Sequence, residues 1–176
     1  HAERLERPIL IAVNQLDHEK ANFEQAMDSL RQTYGTKVLQ TQYPLNTGSL
    51  FDSFIDVITM KMYKFKDDTG IREEFPIPAE EMEKATALHN TLIESAAEND
   101  ETLMEKFFEQ GSLSEEEMRK GLSIGVRNRQ IFPVFCLSAK KNIGTKRLME
   151  LIIKIGPSPA STPMLKNNSK TEIKCD

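Results

Sequence analysis

The fold of this chain is decided by the stretch Pro8-Ile9-Leu10-Ile11-Ala12-Val13-Asn14-Gln15-Leu16-Asp17. Its five consecutive apolar residues, 9–13, predict a strand that is buried on both faces, as strands of parallel sheets are. Polar side chains follow at once, and ligands of open α/β sheets bind at the carboxyl ends of the strands. The stretch therefore predicts an α/β fold with a binding site that begins at Asn14.

Asn14 and Asp17 suit the recognition of a purine edge. An ionised Asp17 only accepts hydrogen bonds and can take two parallel ones, from guanine N1–H and from the guanine amino group, whereas Asn14 offers a donor and an acceptor. The pattern is similar to the Asn-Lys-x-Asp guanine-specificity motif of GTPases, with Gln15 in place of the lysine. Taken alone, this motif is explained equally well by ordinary turn chemistry after a buried strand.

A second apolar run, residues 131–137, is followed by Ser138-Ala139-Lys140. GTPases carry a Ser-Ala-Lys or Ser-Ala-x turn there, whose backbone N–H reaches the guanine carbonyl oxygen, and the stem of Lys140 could lie on the base. Two such motifs in the right order favour a GTPase-like guanine site. Its predicted members are Asn14, Gln15, Asp17, Ser138, Ala139 and Lys140.

The segment between the two motifs has a different pattern. Asn22 and Gly35 are the expected start and stop of an amphipathic helix. Strand-like patterns follow at residues 37–43, 54–58, 60–65 and 71–75, with a hairpin turn signal at residues 67–70. Helical patterns then occupy residues 79–97, a stretch after Asp100, and a stretch that opens with a capping box at Ser114. These patterns predict a small antiparallel sheet followed by helices.

We therefore predict an α/β fold: a partial doubly wound sheet of the P-loop GTPase type with an inserted α+β subdomain. Residues 1–35 and 130–157 would carry the sheet and the two guanine motifs, residues 36–129 the insert, and residues 158–176 a linker.

The composition bounds the class of protein. A chain of 176 residues with 39% hydrophobic and 28% charged residues is typical of a soluble globular protein. The net charge of −4 argues against broad nonspecific binding of nucleic acid. No apolar run approaches the roughly 18 residues of a transmembrane helix, and no signal peptide is visible. Two cysteines and three scattered histidines predict neither a disulfide framework nor a metal site.

The long gap between the two motifs points beyond ordinary small GTPases, in which they lie closer together. Asp17 and Ser138 are 121 positions apart, and the gap holds a sheet and helices. This arrangement resembles bacterial translation elongation factor G, whose G domain carries an inserted G′ subdomain at this place. The strings that resemble the family are, in order, Ala2-Glu3-Arg4, Asn22-Phe23, Leu92-Ile93-Glu94-Ser95-Ala96-Ala97-Glu98, Leu103-Met104-Glu105-Lys106-Phe107, Leu113-Ser114-Glu115-Glu116-Glu117, Ser138-Ala139-Lys140-Lys141-Asn142-Ile143-Gly144 and Pro157-Ser158-Pro159.

The resemblance implies a cytoplasmic, ribosome-binding translocase that binds GTP or GDP and uses GTP hydrolysis to move tRNA and mRNA. The phosphate-binding loop Gly-x-x-x-x-Gly-Lys-Ser/Thr does not occur in these 176 residues. The switch regions that hold Mg²⁺ and position the attacking water do not occur either. We expect a piece of a longer protein that recognises guanine, holds Mg²⁺ only through the other part, and does not hydrolyse GTP by itself.

Gln15 is the main departure from the family pattern. The family's lysine lies with its stem against the base and ribose, and its ammonium reaches the phosphate loop. Gln15 is shorter and neutral, so it loses the charge-assisted contacts. Two interpretations stay open: a diverged paralogue with weakened use of nucleotide, and neutral drift in an active GTPase.

Glu94 and Glu98 form an acidic i,i+4 pair on a predicted helix, where like charges cost about a few tenths of a kcal/mol. The resemblance implies that this part of the insert touches the stalk proteins of the large ribosomal subunit. The alternative is an ordinary solvated helix face.

Three hypotheses follow for the whole chain. The first is the guanine-recognition part of an elongation factor G-like GTPase, with the ribosome as partner and no membrane or sequence-specific nucleic acid. The second is a non-hydrolysing interaction module, for ribosome or protein, from a degenerate paralogue. The third is an unrelated α/β domain whose motifs match by chance.

Overall fold

A computed structural model describes residues 7–158 of the chain. The elements are, in chain order, β1 (Ile11–Val13), α1 (Phe23–Tyr34), β2 (Val38–Gln40), β3 (Gln42–Pro44), β4 (Ser53–Asp56), β5 (Lys61–Phe65), β6 (Arg72–Phe75), α2 (Met82–Ala97), α3 (Glu101–Gln110), α4 (Glu115–Arg127), β7 (Phe132–Cys136) and α5 (Thr145–Ile155). Short 3₁₀ turns cover Gly35–Lys37, Gly48–Leu50 and Ala79–Glu81. Residues 159–176 of the predicted linker lie outside the described residues.

The strands form two sheets. A three-stranded parallel sheet has the order β1-β7-β2, and a four-stranded antiparallel sheet has the order β3-β4-β5-β6. The predicted fold class, a parallel sheet with a separate antiparallel sheet plus helices, is therefore confirmed. We refer to β3–β6 together with α2–α4, residues 42–127, as the antiparallel module. The division of the chain into subdomains at residues 35, 129 and 157 stays a prediction.

The prediction that residues 9–13 form a strand buried on both faces is wrong. Ala12 is exposed, and Ile11 and Val13 are only half-buried, whereas all five residues of β7 are buried. The reason is the strand order: within residues 7–158, β1 is an edge strand that pairs with β7 alone. An apolar run cannot distinguish a central strand from an edge strand.

The strand-like stretch 37–43 divides between the two sheets instead of joining the antiparallel one. Val38–Gln40 pairs in parallel with β7, and Gln42–Pro44 pairs antiparallel with β4. The buried Thr41 lies between them: its N–H and its Oγ1 donate to Val134 O at 3.3 and 2.6 Å, and its carbonyl accepts from Val57 N at 3.0 Å. A single residue with all its polar groups bonded therefore joins the two sheets.

The predicted capping residues start α1, α3 and α4, whereas the helix predicted from residue 79 begins at Met82, after a 3₁₀ turn over Ala79–Glu81. The side chains of Asn22, Asp100 and Ser114 accept from backbone N–H groups in the first turns of α1, α3 and α4, and Ser114 forms the full capping box with Glu117. α4 crosses α2 closely, since a Cβ on Gly121 would lie 2.3 Å from the carbonyl oxygen of Ala96. Within residues 7–158, no helix has the length and apolarity needed to cross a membrane.

Candidate functional site

The two predicted guanine motifs lie side by side at the carboxyl ends of β1 and β7. These strands are neighbours in the parallel sheet, and the pairing continues beyond them: Leu137 N donates to Val13 O at 2.9 Å, and Leu16 N donates to Leu137 O at 3.2 Å. The backbone thus carries residues 14–17 and residues 138–140 out of the sheet together.

Two side-chain hydrogen bonds join the motifs. Ser138 Oγ donates to Asp17 Oδ1 at 2.6 Å, and Asn14 Oδ1 accepts from Ala139 N at 2.9 Å. Ser138 is fully buried and Asp17 half-buried, while Asn14 and Ala139 are exposed. The fold therefore brings four of the six predicted residues into direct contact.

Asp17 is held in its ionised form. The hydrogen bond from Ser138 is the largest cause of a lowered Asp17 pKa, partial burial opposes it, and the nearby charges of Lys141 and Lys140 add to it. An ionised carboxylate is an acceptor only, with lone pairs on both oxygens. Asp17 can therefore accept from Ser138 and still offer acceptor positions to a ligand.

The turn after β7 is closed by its own hydrogen bonds. Ser138 and Ile143 exchange two backbone bonds, of 3.1 and 2.9 Å, and Lys141 N donates to Ser138 Oγ at 3.1 Å. Gly144 ends the turn with φ +80°, and a Cβ there would lie 2.4 Å from Cys136 O. Only glycine fits this position without a shift of the backbone.

An open pocket of about 540 Å³ lies beside the motifs. It is lined by Gln15, Asp17, His18, Glu19, Ser49, Lys140 and Lys141. Its volume falls in the range of roughly 300–1,000 Å³ that small-molecule sites occupy. Three of the predicted residues, Gln15, Asp17 and Lys140, line it. The other three are not lining residues: Ser138 is hydrogen-bonded to Asp17, and Ala139 to Asn14.

Gln15 has a left-handed backbone conformation, with φ +61°. This conformation is uncommon for residues other than glycine and is found where the surroundings impose it. Here the following Leu16 is buried and bonded to Leu137, and His18 N donates to Gln15 O at 2.9 Å. The result is a tight turn that presents Gln15 to the pocket.

Ser49 and Lys141 are pocket residues that the sequence argument missed. Lys141 Nζ donates to Ser49 O at 3.2 Å, and Gly48 N donates to Leu16 O at 2.8 Å, so the loop between β3 and β4 forms one wall of the pocket. Lys141 adjoins the second motif and could have been included. Ser49 gives no local signal, because it reaches the site only through the fold.

Glu94 and Glu98 lie exposed near the carboxyl end of α2, apart from the residues that line this pocket. Glu98 also lines a smaller pocket of about 330 Å³. The other lining residues are Ala97, Asp100, Glu101, Met104, Glu105 and Phe108. Phe108 is 78% exposed, so this acidic surface also carries an exposed apolar side chain.

The described part of the chain holds no group of three or more His, Cys, Asp or Glu side chains that could bind a metal ion. The charged residues that line the pocket are instead two carboxylates, Asp17 and Glu19, and two lysines, Lys140 and Lys141. The backbone N–H of Ala139 adjoins them. This set suits an organic ligand with donors along one edge and an acceptor beside them.

Comparisons with known proteins agree with the fold. No family model matches the chain. Elongation factor G of Mycoplasma genitalium is 34% identical over 180 aligned residues, which cover 98% of this chain and 26% of that protein. A crystal structure from Thermus thermophilus superposes with a TM-score of 0.79 at 32% identity, covering 90% of this chain and 24% of that one. The chain thus spans about a quarter of each relative's length.

Proposed function

The chain belongs to the elongation factor G family and corresponds to about a quarter of the length of its Mycoplasma genitalium relative, and we propose that the pocket beside β1 and β7 recognises the guanine base of GTP or GDP. The whole protein would be a translational GTPase that acts with the ribosome in the cytoplasm. The observation that carries the proposal is the Ser138–Asp17 hydrogen bond, which fixes an ionised carboxylate at the mouth of the pocket.

Asp17 would accept from guanine N1–H and from the exocyclic amino group. Adenine presents an acceptor at N1 and has no amino group at C2, so its edge would face the carboxylate with repulsion instead of two hydrogen bonds. A buried or half-buried group left without its partner is costly, which makes this kind of discrimination strong. Asp17 is thus the specificity residue of the proposal.

Ala139 N–H would serve the guanine carbonyl oxygen. In the free protein this N–H donates to Asn14 Oδ1, so a bound base would compete with Asn14 for it. Asn14 would then turn its carboxamide toward the base, where it can donate as well as accept. The stem of Lys140, which is exposed and lines the pocket, would cover one face of the ring.

GTP hydrolysis would need a phosphate-binding loop and Mg²⁺ ligands, and the 176-residue sequence contains no Gly-x-x-x-x-Gly-Lys-Ser/Thr string. Mg²⁺ supplies charge stabilisation at the transferred phosphate when it is bound. The residues of this chain would bind and orient the base, and would leave the phosphates to residues elsewhere in the protein.

The test exchanges the hydrogen-bonding pattern of residue 17. Asp17→Asn keeps the shape but turns one acceptor into a donor, which matches the carbonyl that xanthine carries in place of the guanine amino group. In amide chemical-shift titrations of the chain with millimolar nucleotides, we expect GDP but not ADP to shift Ala139. We expect Asp17→Asn to weaken GDP about tenfold or more, since a hydrogen bond to a charged group is worth roughly 1.5–3 kcal/mol, and to gain xanthosine diphosphate.

The matched control is Asp28→Asn, the same exchange at an exposed position of α1. It should leave the GDP titration unchanged. Equal responses to GDP and ADP, or no response at residues 138–140, would contradict guanine recognition.

A second candidate function, an interaction module without nucleotide use, is favoured by Gln15. Its neutral side chain at the pocket lacks the ammonium of the family's lysine. Gln15→Lys separates the two functions in the full-length protein. Tight GDP binding that barely changes in this variant supports the GTPase, whereas weak binding that the lysine restores supports the interaction module.

The ribosome-facing part of the proposal rests on Glu94 and Glu98. Both side chains are exposed, and Glu98 lines a pocket together with Met104 and Phe108. This surface fits a partner with a basic, partly apolar surface, and the family resemblance makes the ribosomal stalk protein the partner to test. We expect Glu94→Lys/Glu98→Lys to weaken binding of the stalk protein at low salt. The control is Glu80→Lys/Glu83→Lys, an equal charge change near the start of the same helix, and equal effects of both pairs would contradict the docking role.

A further inference from the structure

A buried carboxylate, Asp56, lies where the antiparallel module meets β7 and α5. Asp56 is fully buried at the end of β4. Its Oδ2 accepts from Arg147 Nε at 2.8 Å and from Gln42 Nε2 at 3.0 Å, and its Oδ1 accepts from the N–H and Oγ1 of Thr59 at 3.1 and 3.2 Å. The donors belong to Arg147 of α5, to Gln42 of β3 and to Thr59 of the turn that follows β4. Asp56 therefore connects three separate elements of the fold.

Through Gln42, Asp56 reaches the end of β7. Gln42 is 1% exposed, and while its Nε2 donates to Asp56, its Oε1 accepts from Cys136 N at 3.1 Å. Cys136 is the last residue of β7, two positions before Ser138. The backbone that leads into the base-recognition turn is thus bonded to the carboxylate through one side chain.

Through Arg147, Asp56 reaches the start of α5. Arg147 is 3% exposed in the first turn of that helix, with its guanidinium carbon 5.7 Å from the ring centre of Tyr63. Arg147 Nη1 lies 3.5 Å from Glu150, whose two carboxylate oxygens each lie 3.1 Å from Arg72 of β6. The backbone that leaves the turn is therefore fastened to the same carboxylate.

Cys136 and Arg147 bracket the turn that carries Ser138, Ala139 and Lys140. We infer that Asp56 is a positioning residue for guanine recognition: it holds both ends of this turn at once, through Gln42 on one side and Arg147 on the other. This inference rests on the proposed function and assigns to that site a residue from outside both sequence motifs.

Stability alone does not account for this arrangement. Buried ion pairs can often be replaced by apolar side chains of similar volume at no loss of stability, since desolvation offsets the attraction between the charges. Arg147 Nη2 is buried and has no hydrogen-bond partner among residues 7–158, so the pair is not even fully compensated. Hydrogen bonds are directional and apolar contacts are not, so the bonds of Asp56 fix the orientation of the backbone on both sides of the turn.

The test compares wild type with the apolar pair Asp56→Leu/Arg147→Met. We expect the apolar pair to unfold cooperatively at a lower midpoint than wild type, because the buried Gln42 Nε2 loses its acceptor. Binding and exchange are therefore measured under conditions in which both proteins are fully folded. We expect its dissociation constant for GDP to rise at least tenfold, and hydrogen exchange at Ile143 N–H, which closes the turn onto Ser138 O, to become at least tenfold faster. Wild-type affinity and exchange in the apolar pair would overturn the inference.

Arg147→Lys is the second variant, and it decides the matter if the apolar pair does not fold. It keeps the charge but loses the guanidinium geometry. A rise in the GDP dissociation constant with an unchanged unfolding midpoint supports positioning. A loss of affinity that is matched by a loss of stability, or no change in either affinity or stability, refutes it. The control is Asp52→Asn, which removes a half-exposed carboxylate paired with Lys64 just before β4, and it should change none of the readouts.

The readouts separate this inference from the proposed function. If wild type shows no response to GDP, the proposed function fails, while the exchange rate of Ile143 still tests whether Asp56 holds the turn. If wild type binds GDP and the variants behave like wild type, only the positioning role fails.

Discussion

Replacing Ser138 with alanine removes two contacts that are both local to the candidate site. The fully buried hydroxyl donates to Asp17 Oδ1 at 2.6 Å and accepts from Lys141 N at 3.1 Å. Ser138→Ala deletes one oxygen atom and leaves the backbone bonds to Ile143 in place. The change therefore measures what the hydroxyl contributes to the fold and to the ionisation of Asp17.

The magnitude follows from the two bonds. A hydrogen bond to a charged group is worth roughly 1.5–3 kcal/mol and a neutral one roughly 1 kcal/mol. Water can reach the half-buried Asp17 and replace part of the first contribution, so we expect a loss of about 2 kcal/mol in the free energy of unfolding. At about 2–4 °C per kcal/mol for a chain of this size, the melting temperature should fall by about 4–8 °C.

The same variant should raise the pKa of Asp17, because the bond from Ser138 is the largest cause of its lowering. A lowered folded-state pKa contributes stability that is fully present above the unfolded-state value of about 3.9 and is lost as the pH falls through the folded-state value. The difference in stability between wild type and Ser138→Ala should therefore be largest at neutral pH and should shrink in acid, where Asp17 is neutral in both.

The assay is urea unfolding at pH 7 and at an acidic pH at which Asp17 is protonated. The pKa of the Asp17 carboxylate is measured separately by NMR titration. The matched control is Ser29→Ala, which removes an exposed hydroxyl that donates to Gln25 O within α1. An unchanged Asp17 pKa, or a loss of stability no larger than in the control, would refute the reasoning.

Two further variants test other contacts. Gly144→Ala should lower the free energy of unfolding by about 2–4 kcal/mol in urea unfolding. A left-handed alanine costs about 1–2 kcal/mol, and its Cβ would lie 2.4 Å from Cys136 O and force a shift. The control is Gly111→Ala, at φ +68° with nothing within 4 Å, which should lose only the conformational contribution. Glu117→Gln should lower the urea midpoint at neutral pH. The hydrogen bond from Lys106 is the largest of the causes that lower the pKa of Glu117 to about 2, so the difference in midpoint from wild type should disappear as the pH falls toward that value. A difference that does not depend on pH would exclude the charged contact.

Features with local causes were predictable from the sequence. The capping side chains at Asn22, Asp100 and Ser114 act within one turn of helix, and Gly111 ends α3 in the left-handed conformation that favours glycine. The positions of the two predicted guanine motifs at strand ends were also predictable, because each directly follows an apolar strand; their role in guanine recognition stays a prediction.

Features that depend on strand order were not predictable. The half-burial of β1 follows from its position at the edge of the sheet, and a central strand could have the same apolar sequence as residues 9–13. The division of residues 37–43 between two sheets depends on β7, which lies far along the chain. Ser49 reaches the pocket, and Asp56 reaches Arg147, only through the fold, so no spacing in the sequence points to either residue.

The junction at Thr41 has a mechanical consequence. A hinge needs a residue whose φ and ψ can change at little cost, and the N–H, carbonyl and hydroxyl of Thr41 are all bonded to the two sheets that it joins. Rotation of the antiparallel module about this joint would therefore break the hydrogen bonds of Thr41 to Val134 and Val57. A force applied to its outer surface would act as a torque on β7 and on the turn beyond it, with the module as the lever arm.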